Sequence, residues 1–327
     1  MVRVSLCLTV LNEEETVDAL FRSLLAGTRL PDEVIVADGG SRDGTLRRLA
    51  AYADRLPLTV LSVPGPISVG RNAAIRRARG EIIAVTDAGV RLAPEWLAAL
   101  VAAIDQGADV AAGFFLPDPR TTFEVAMGAT VLPEPGEIDP PRFLPSSRSI
   151  AFRRQVWEQV GGYPEWLDYC EDLIFDLCYR SIGARQQWVP HAVAHFRPRS
   201  SLGAFWLQYY RYARGDGKAG LFAHRHAIRY ATYLGLLPLL LLAGCRWRPA
   251  WCALALAALA YLRTPFRRYA RQSRHLRPGP RVAGLLLIPL IRLTGDLAKM
   301  TGYPVGVLWR WRQRPPAWCT GSGNLPA

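Results

Sequence analysis

The early part of the chain alternates between β-branched apolar runs and amphipathic helical patterns, and this alternation restricts the fold more than any other feature. The apolar runs predict strands at residues 2–10, 33–37, 58–62 and 81–86. The segments between and after them predict helices at residues 14–25, 43–53, 68–79 and 94–104. Because repeated βα units favour a mostly parallel sheet with helices on both faces, we expect an α/β domain of Rossmann-like type.

Polar side chains stand where three of these strands end. Asn12 and Glu13 follow the first strand, Asp38 follows the second, and Asp87 follows the fourth. Any one of them alone is as well explained as an ordinary loop cap. Ligands bind beyond the carboxyl ends of parallel strands, and the two glycines after Asp38 allow a ligand to approach the backbone closely. We therefore expect these residues to share one crevice.

Several enzyme classes lack their signatures in this chain. The sequence contains no Walker loop, no dinucleotide-binding glycine fingerprint and no Gly-x-Ser-x-Gly elbow. Nucleoside triphosphatases, dehydrogenases and serine hydrolases are therefore not supported.

The positive charge of the chain is confined to its C-terminal part. Residues 1–200 hold 21 arginines and 25 acidic residues, whereas residues 201–327 hold 19 basic and two acidic residues. The basic part is also apolar, and alternation of arginine clusters with apolar runs is typical of membrane segments and their cytoplasmic flanks. We therefore expect membrane lipids as partners and no nucleic acid.

Two apolar segments, Tyr230–Cys245 and Pro249–Leu262, are nearly free of charge. Each is short for a membrane span, so a tight hairpin with both ends in the cytoplasm is expected, with a re-entrant or interfacial helix pair as the alternative. A third stretch, Val282–Trp311, contains three charged residues at helical spacing and is expected to lie at the interface. The N-terminus lacks a signal-peptide cleavage site. We expect a plasma or inner membrane protein whose catalytic domain is cytoplasmic.

The uneven distribution of charge and apolar residues along the chain predicts three segments. Residues 1–200 form the expected catalytic domain, residues 201–226 an amphipathic interfacial helix, and residues 227–327 the hairpin with a further interfacial helix. The six cysteines show neither a Cys-x-x-Cys pair nor zinc spacing, so no disulfide framework is expected.

Four motifs in the first part resemble those of the family 2 glycosyltransferases of the membrane-associated bacterial type. They are Thr9–Glu13, Asp38–Thr45, Gly70–Ala74 and Gly80–Asp87, in the order of the family. The resemblance implies a GT-A fold that binds a nucleotide-diphosphate-sugar. It also implies that the donor is held by six residues: Thr9, Asn12, Glu13, Asp38, Arg71 and Asp87.

The resemblance also implies that the protein uses a divalent cation, Mg²⁺ or Mn²⁺. However, the motif that begins at Asp87 departs from the family pattern. The family has Asp-x-Asp where this chain reads Asp87-Ala88-Gly89, so the second carboxylate is missing. Asp87 and His195 are the expected metal ligands, and His191 and His195 are expected to follow a strand. A hydrogen-bonded structural histidine is the alternative for His195.

The segment Tyr169–Asp176 resembles the family's Glu-Asp motif at the start of a helix. By that resemblance Asp172 is the catalytic base that takes the proton of the acceptor hydroxyl, and Glu171 holds the acceptor or orients the base. The alternative is that both acids only complement the helix dipole. Trp166 is expected either to stack on a sugar or to fill the core.

Phe143–Trp157, with Ser149, Ile150 and Arg153, resembles the acceptor-side segment of the family. Further along, Gln208–Tyr212 resembles the Gln-x-x-Arg-Trp signature of membrane-associated relatives, with Tyr in place of Trp. Gln208 and Arg211 would then reach the diphosphate or the acceptor. An interfacial helix without a catalytic part is the alternative, and a turn is expected at residues 214–217.

Together these patterns predict an inverting glycosyltransferase that moves a hexose-type sugar from a nucleotide-diphosphate-sugar to a lipid-linked or cell-surface glycan acceptor. The alternative is a non-catalytic membrane scaffold or regulator that binds sugar nucleotides, which the missing second carboxylate suggests. The retained Glu171-Asp172 pair argues against that alternative.

Overall fold

A computed structural model describes residues 2–319. These residues form two compact units. The first contains residues up to Asp118, residues Pro135–Arg197 and a short stretch after Pro316, and the second contains Pro119–Glu134 and Pro198–Pro315.

The first unit is built on one eight-stranded sheet. Its strands are β1 (Val4–Val10), β2 (Glu33–Asp38), β3 (Leu58–Ser62), β4 (Ile82–Asp87), β5 (Val90–Leu92), β6 (Val110–Pro117), β7 (Ile150–Arg153) and β8 (Gln186–Phe196). The order across the sheet is β3-β2-β1-β4-β7-β6-β8-β5. Pairings among β3, β2, β1 and β4, and between β6 and β8, are parallel, and the three others are antiparallel. The predicted mostly parallel α/β sheet is confirmed, with an antiparallel strand, β7, at its centre.

Helices cover both faces of this sheet. They are α1 (Val17–Leu25), α2 (Thr45–Ala50), α3 (Ile67–Arg77), α4 (Trp96–Asp105), α6 (Arg154–Val160) and α7 (Glu171–Ser181), while α5 (Thr122–Val131) belongs to the second unit. One core includes residues of α1, α2 and α4, and the other includes residues of α3, α6 and α7. The four predicted strands and four predicted helices are all present, with boundaries that differ by up to three residues.

The positions of two histidines differ from the prediction. His191 and His195 lie inside β8 and do not follow a strand. Alternate residues of β8, among them Ala192 and Ala194, are buried in the first core, so the two histidines lie on the opposite face of the strand.

A disulfide joins Cys178 of α7 to Cys319. The expectation that the cysteines form no disulfide framework is therefore wrong for this pair. The two cysteines are 141 residues apart in the sequence, and no spacing motif marks such a pairing.

The second unit is helical in the part of the chain that the structure describes. Besides α5 it contains α8 (Leu202–Ala219), α9 (Ala223–Tyr230), a π-helical segment Ala231–Leu236, α10 (Leu237–Arg246), α11 (Pro249–Gln272) and α12 (Pro278–Gln313). The turn expected at residues 214–217 is wrong, because this segment is part of α8.

One helical stretch among the described residues, Ala223–Arg246, is long and apolar enough to cross a membrane, with a mean hydropathy of 1.5 in its most apolar window. It contains the first predicted apolar segment, and the second predicted segment lies within α11. Large apolar side chains of this unit are solvent-exposed, including Leu239, Leu256 and Leu286, the last at 74%. A surface of this kind indicates contact with apolar surroundings.

Glycines bring the backbones of α8 and α12 into direct contact. A Cβ atom on Gly306 would lie 2.8 Å from the amide nitrogen of Lys218 and closer still to the carbonyl oxygen of Arg214. Gly302 faces the backbone of Tyr210, and Gly217 faces the backbone of Tyr303, with equally little space. Small residues that permit such close approach are typical of helix pairs in membranes.

We expect Gly306→Ala to force α8 and α12 apart and to destabilise the protein by roughly 1–3 kcal/mol, as overpacking does. Gly203→Ala on α8 is the matched control, because a Cβ there meets no atom within 4 Å. Thermal unfolding of the detergent-purified protein, followed by circular dichroism, measures both. Equal midpoints for the two variants would contradict the close contact.

Candidate active site

The ends of β1, β2 and β4 meet at one edge of the sheet. Val10 pairs with Asp38 on one side of β1, and Thr9 pairs with Asp87 on the other. Thr9 therefore lies between the two neighbouring strands that carry the acids. The expected convergence of these strand ends is confirmed, while the roles of the residues stay predictions.

The loop after β2 is held by side chains predicted to bind the donor. The carboxylate of Asp38 accepts hydrogen bonds from the amides of Gly40 and Ser41, at 3.1 Å each. Asn12 has a left-handed backbone (φ 55°), and its Oδ1 accepts a hydrogen bond from the amide of Arg42 at 2.9 Å. These side chains therefore shape the loop. Asp38 is only 3% exposed.

Glu13 connects the first βα turn to the next helix. Its amide donates to the hydroxyl of Thr45 at 2.7 Å, and its carboxylate accepts from the hydroxyl of Thr16. The same carboxylate lies 3.9 Å from the position that a Cβ of Gly89 would occupy. The Glu13 carboxylate thus lies close to position 89, where the motif after β4 lacks its second acid.

Arg71 on α3 links two predicted parts of the site. Its guanidinium, 1% exposed, donates to Asp87 at 3.2 Å and to Glu171 at 2.9 Å, and it lies 4.9 Å from the ring centre of Tyr163. Asp87 ends β4, and Glu171 begins α7. A single buried cation therefore holds together Asp87 and Glu171, which belong to the motifs predicted to bind the donor and to carry the catalytic acids and lie 84 residues apart in the sequence.

The two acids at the start of α7 differ in their surroundings. Burial, followed by the adjacent Asp172 carboxylate, raises the pKa of Glu171 to about 7, although Arg71 acts in the opposite direction. Asp172 is partly exposed, and its Oδ1 accepts from the amide of Leu173 at 2.9 Å. Asp172 is thus the more accessible acid of this pair. One turn later, burial raises the pKa of Asp176 well above its ordinary value.

Sequence reasoning missed Arg148 as a site residue. It precedes β7, and its Nε lies 3.5 Å from Oδ2 of Asp87. The antiparallel pairing of β7 with β4 brings it there, and Thr86 of β4 donates a hydrogen bond to its backbone carbonyl. The only signal in the sequence was an arginine inside the expected acceptor-side segment Phe143–Trp157, which does not reveal strand register.

The residues around Asp87 do not fit a hard divalent cation. Each Asp87 oxygen is paired with a guanidinium group, and position 89 offers no carboxylate. His195 pairs across the strands with Arg91, and burial followed by the charge of Arg91 lowers the pKa of His195. Within residues 2–319 no group of three or more His, Cys, Asp or Glu side chains is arranged to hold a metal. The pairing of Asp87 with His195 around a cation stays a prediction.

Other predicted residues lie outside this cluster. Ser149 and Ile150 are buried in β7 and its approach, so they cannot touch an acceptor, and Arg153 donates to the carbonyl of Ile104 at 2.8 Å. Trp166 is partly buried. Gln208 and Arg211 lie on α8 of the second unit, where Gln208 donates to the hydroxyl of Tyr212 at 2.8 Å. The roles proposed for Trp166, Gln208 and Arg211 stay predictions.

We expect Arg71→Met to destabilise the protein by about 3–5 kcal/mol, because it leaves two carboxylates without their buried partner. Arg76→Met, on the same helix, removes an exposed pair with Glu165 and should change stability by less than about 1 kcal/mol. Guanidinium unfolding of the purified protein measures both. Similar midpoints for the two variants would show that the buried pair is not a structural link.

The chain is similar to proteins of known family and structure. Residues 5–154 match the family model described as glycosyl transferase family 2. An undecaprenyl-phosphate 4-deoxy-4-formamido-L-arabinose transferase of Pseudomonas fluorescens is 33% identical over 114 residues, which make up 33% of this chain and 34% of the relative. The succinoglycan biosynthesis protein ExoA of Rhizobium meliloti is 28% identical over 226 residues, 64% of this chain and 67% of the relative.

Among solved structures, the mannosyltransferase PcManGT from Pyrobaculum calidifontis, in complex with GDP-Man and Mn²⁺, has a TM-score of 0.54 and 21% identity. The match covers 94% of this chain and 86% of that one, and at this identity it bears on the fold alone. Residues 5–154 therefore form a domain of glycosyltransferase family 2, on a fold of the GT-A type.

Proposed function

We propose that this protein is an inverting glycosyltransferase that transfers a sugar from a nucleotide-diphosphate-sugar to a lipid-linked or cell-surface glycan acceptor at the cytoplasmic face of the membrane. The observation that carries the proposal is the buried Arg71, which joins Asp87 at the strand ends to Glu171 beside Asp172. Donor-binding and proton-accepting groups are thereby adjacent.

The donor side of the proposal rests on the strand-end crevice. Thr9, Asp38 and Asp87 lie on three neighbouring parallel strands, at the edge where such sheets bind ligands. In this proposal Asn12, Glu13 and Asp38 hold the base and ribose, while Arg71 and Asp87 face the diphosphate end. The loop that Asp38 and Asn12 fold is then part of the nucleotide pocket.

The catalytic side rests on Asp172. An inverting transfer is a single displacement in which the acceptor hydroxyl attacks the anomeric carbon and loses its proton, and the nucleoside diphosphate leaves. Asp172 is partly exposed and lies in the first turn of α7, which supports its proposed role as the base that takes that proton. Glu171, held by Arg71, fixes the start of this helix.

The proposed acceptor is inferred from features of the second unit. The exposed leucines of this unit and the apolar stretch Ala223–Arg246 favour attachment to a bilayer, and the arginines before Tyr230 and after Leu262 favour the cytoplasmic side. One relative bears undecaprenyl-phosphate in its name. We infer a lipid-linked acceptor of that class, with Gln208 and Arg211 on the helix that reaches it.

The test of function uses the detergent-purified chain, a panel of nucleotide-sugars and crude membrane lipid, and measures released nucleoside diphosphate. Release from one donor that depends on added lipid is the expected result. Donor binding without release across the panel would instead favour a scaffold that binds sugar nucleotides.

We expect Asp172→Asn to lower the transfer rate at least about a hundredfold while leaving donor binding unchanged, since a general base typically contributes that much. Asp176→Asn is the matched control on the same helix. Asp176 is only 1% exposed and burial raises its pKa well above its ordinary value, so it is not accessible to an acceptor and the variant should keep its activity. Undiminished turnover of Asp172→Asn would remove Asp172 from the role of base.

A further inference from the structure

Three charged side chains of α12 lie on one face of that helix. They are Arg292, Asp296 and Lys299, at spacings of four and three residues. Asp296 is 4% exposed, and its Oδ1 accepts a hydrogen bond from Nε of Arg229 at 2.9 Å. Its Oδ2 accepts a hydrogen bond from the hydroxyl of Tyr233 at 2.9 Å. Both oxygens of this acid are therefore already bound within the helical unit.

The two cations of this face have no carboxylate partner among residues 2–319. Neither Arg292 nor Lys299 forms an ion pair there. The guanidinium carbon of Arg292 lies 4.4 Å from the ring centre of Tyr261, and its buried Nε has no hydrogen-bond partner among the described residues. The ammonium nitrogen of Lys299 lies 4.9 Å from the ring centre of Tyr209. Aromatic rings thus hold both cations in place without neutralising them.

The charges around Asp296 do not balance. Arg229 is neutralised by Asp296, and the positive charges of Arg292 and Lys299 remain. The C-terminal part of the sequence contains one other acid, Asp216, which lies 3.3 Å from a buried histidine. Partly buried cations are unfavourable unless an anion accompanies them. The surroundings of Arg292 and Lys299 therefore favour an anionic ligand.

An exposed apolar strip lies beside these cations on α12. This leucine strip consists of side chains at helical spacing that are between 39% and 74% exposed: Leu286, Leu290, Leu293 and Leu297. Leu293 and Leu297 directly follow Arg292 and Asp296 in the sequence, so the strip borders the charged face. Cations next to an exposed apolar surface match a ligand with a phosphate head and a hydrocarbon chain.

We propose that Arg292 and Lys299 bind the phosphate end of the lipid-linked acceptor, and that the leucine strip contacts its hydrocarbon chain. The inference rests on the proposed function, whose acceptor site it specifies. A phosphate monoester carries a charge of about −1.5 to −2 at neutral pH, which matches two cations. The diester of an ordinary bilayer phospholipid carries a single charge and matches them less well. Guanidinium and ammonium groups both form strong, charge-assisted hydrogen bonds to phosphate oxygens.

The experiment measures binding of undecaprenyl phosphate, undecaprenol and phosphatidylglycerol to the full-length chain in a non-ionic detergent, by microscale thermophoresis. We expect the phosphate to bind at least about tenfold more tightly than the other two lipids. Arg292→Gln and Lys299→Gln should each weaken its binding about tenfold, the range of one charge-assisted hydrogen bond, and Arg292→Lys should weaken it less. Arg281→Gln is the matched control, because this arginine is exposed on the same helix, and it should have no effect.

Undecaprenol is the readout that a merely structural role would change. Its weak binding should be the same in the wild type and in both Gln variants. Three results would each overturn the inference: equal affinity of the wild type for the phosphate and for either other lipid, undiminished phosphate binding by both variants, or an equal loss for phosphate and alcohol.

The release of nucleoside diphosphate separates this inference from the proposed function. Sugar transfer by a wild type whose Gln variants bind undecaprenyl phosphate equally well would overturn the inference and leave the function standing. Phosphate-selective binding that is lost in the Gln variants, without release from any donor, would support the lipid-phosphate site and overturn the proposed function.

Discussion

Arg71 carries a full positive charge into a region that water hardly reaches, and two carboxylates from different elements make that burial tolerable. A buried cation with one partner removed is strongly unfavourable, so the positions of β4, α3 and α7 are mutually dependent. The same contact fixes Glu171, keeps Asp172 at the accessible start of α7, and leaves Asp87 with one oxygen facing Arg148. Structure and proposed chemistry thus depend on one guanidinium group.

The features that could be predicted from the sequence are those that depend on local pattern. The strands before Asp38 and Asp87 and the helix that begins at Glu171 follow from apolar periodicity and from motifs that keep their order along the chain. The meeting of Thr9, Asp38 and Asp87 follows in turn, because neighbouring parallel strands end at one edge.

The features that could not be predicted depend on contacts distant in sequence. Arg148 lies beside Asp87 only because β7 pairs with β4 in one register, and that register is fixed by packing. The glycines of residues 214–217 suggested a turn, but the segment is helical and Gly217 packs against the α12 backbone. The period-two pattern around His191 and His195 did point to a strand, and a count of alternate apolar residues would have placed both histidines inside β8.

The glycine contacts between α8 and α12 also have a mechanical consequence. Two helices that touch through their backbones cannot slide past each other unless a glycine moves away from the backbone that it contacts, so they move as one rigid pair. The exposed leucines of α12, such as Leu286 and Leu290, and the side chains of Gln208 and Arg211 on α8 belong to this helix pair. If the protein is attached to a membrane as proposed, the depth at which the bilayer holds those leucines also sets the position of Gln208 and Arg211 relative to the membrane surface.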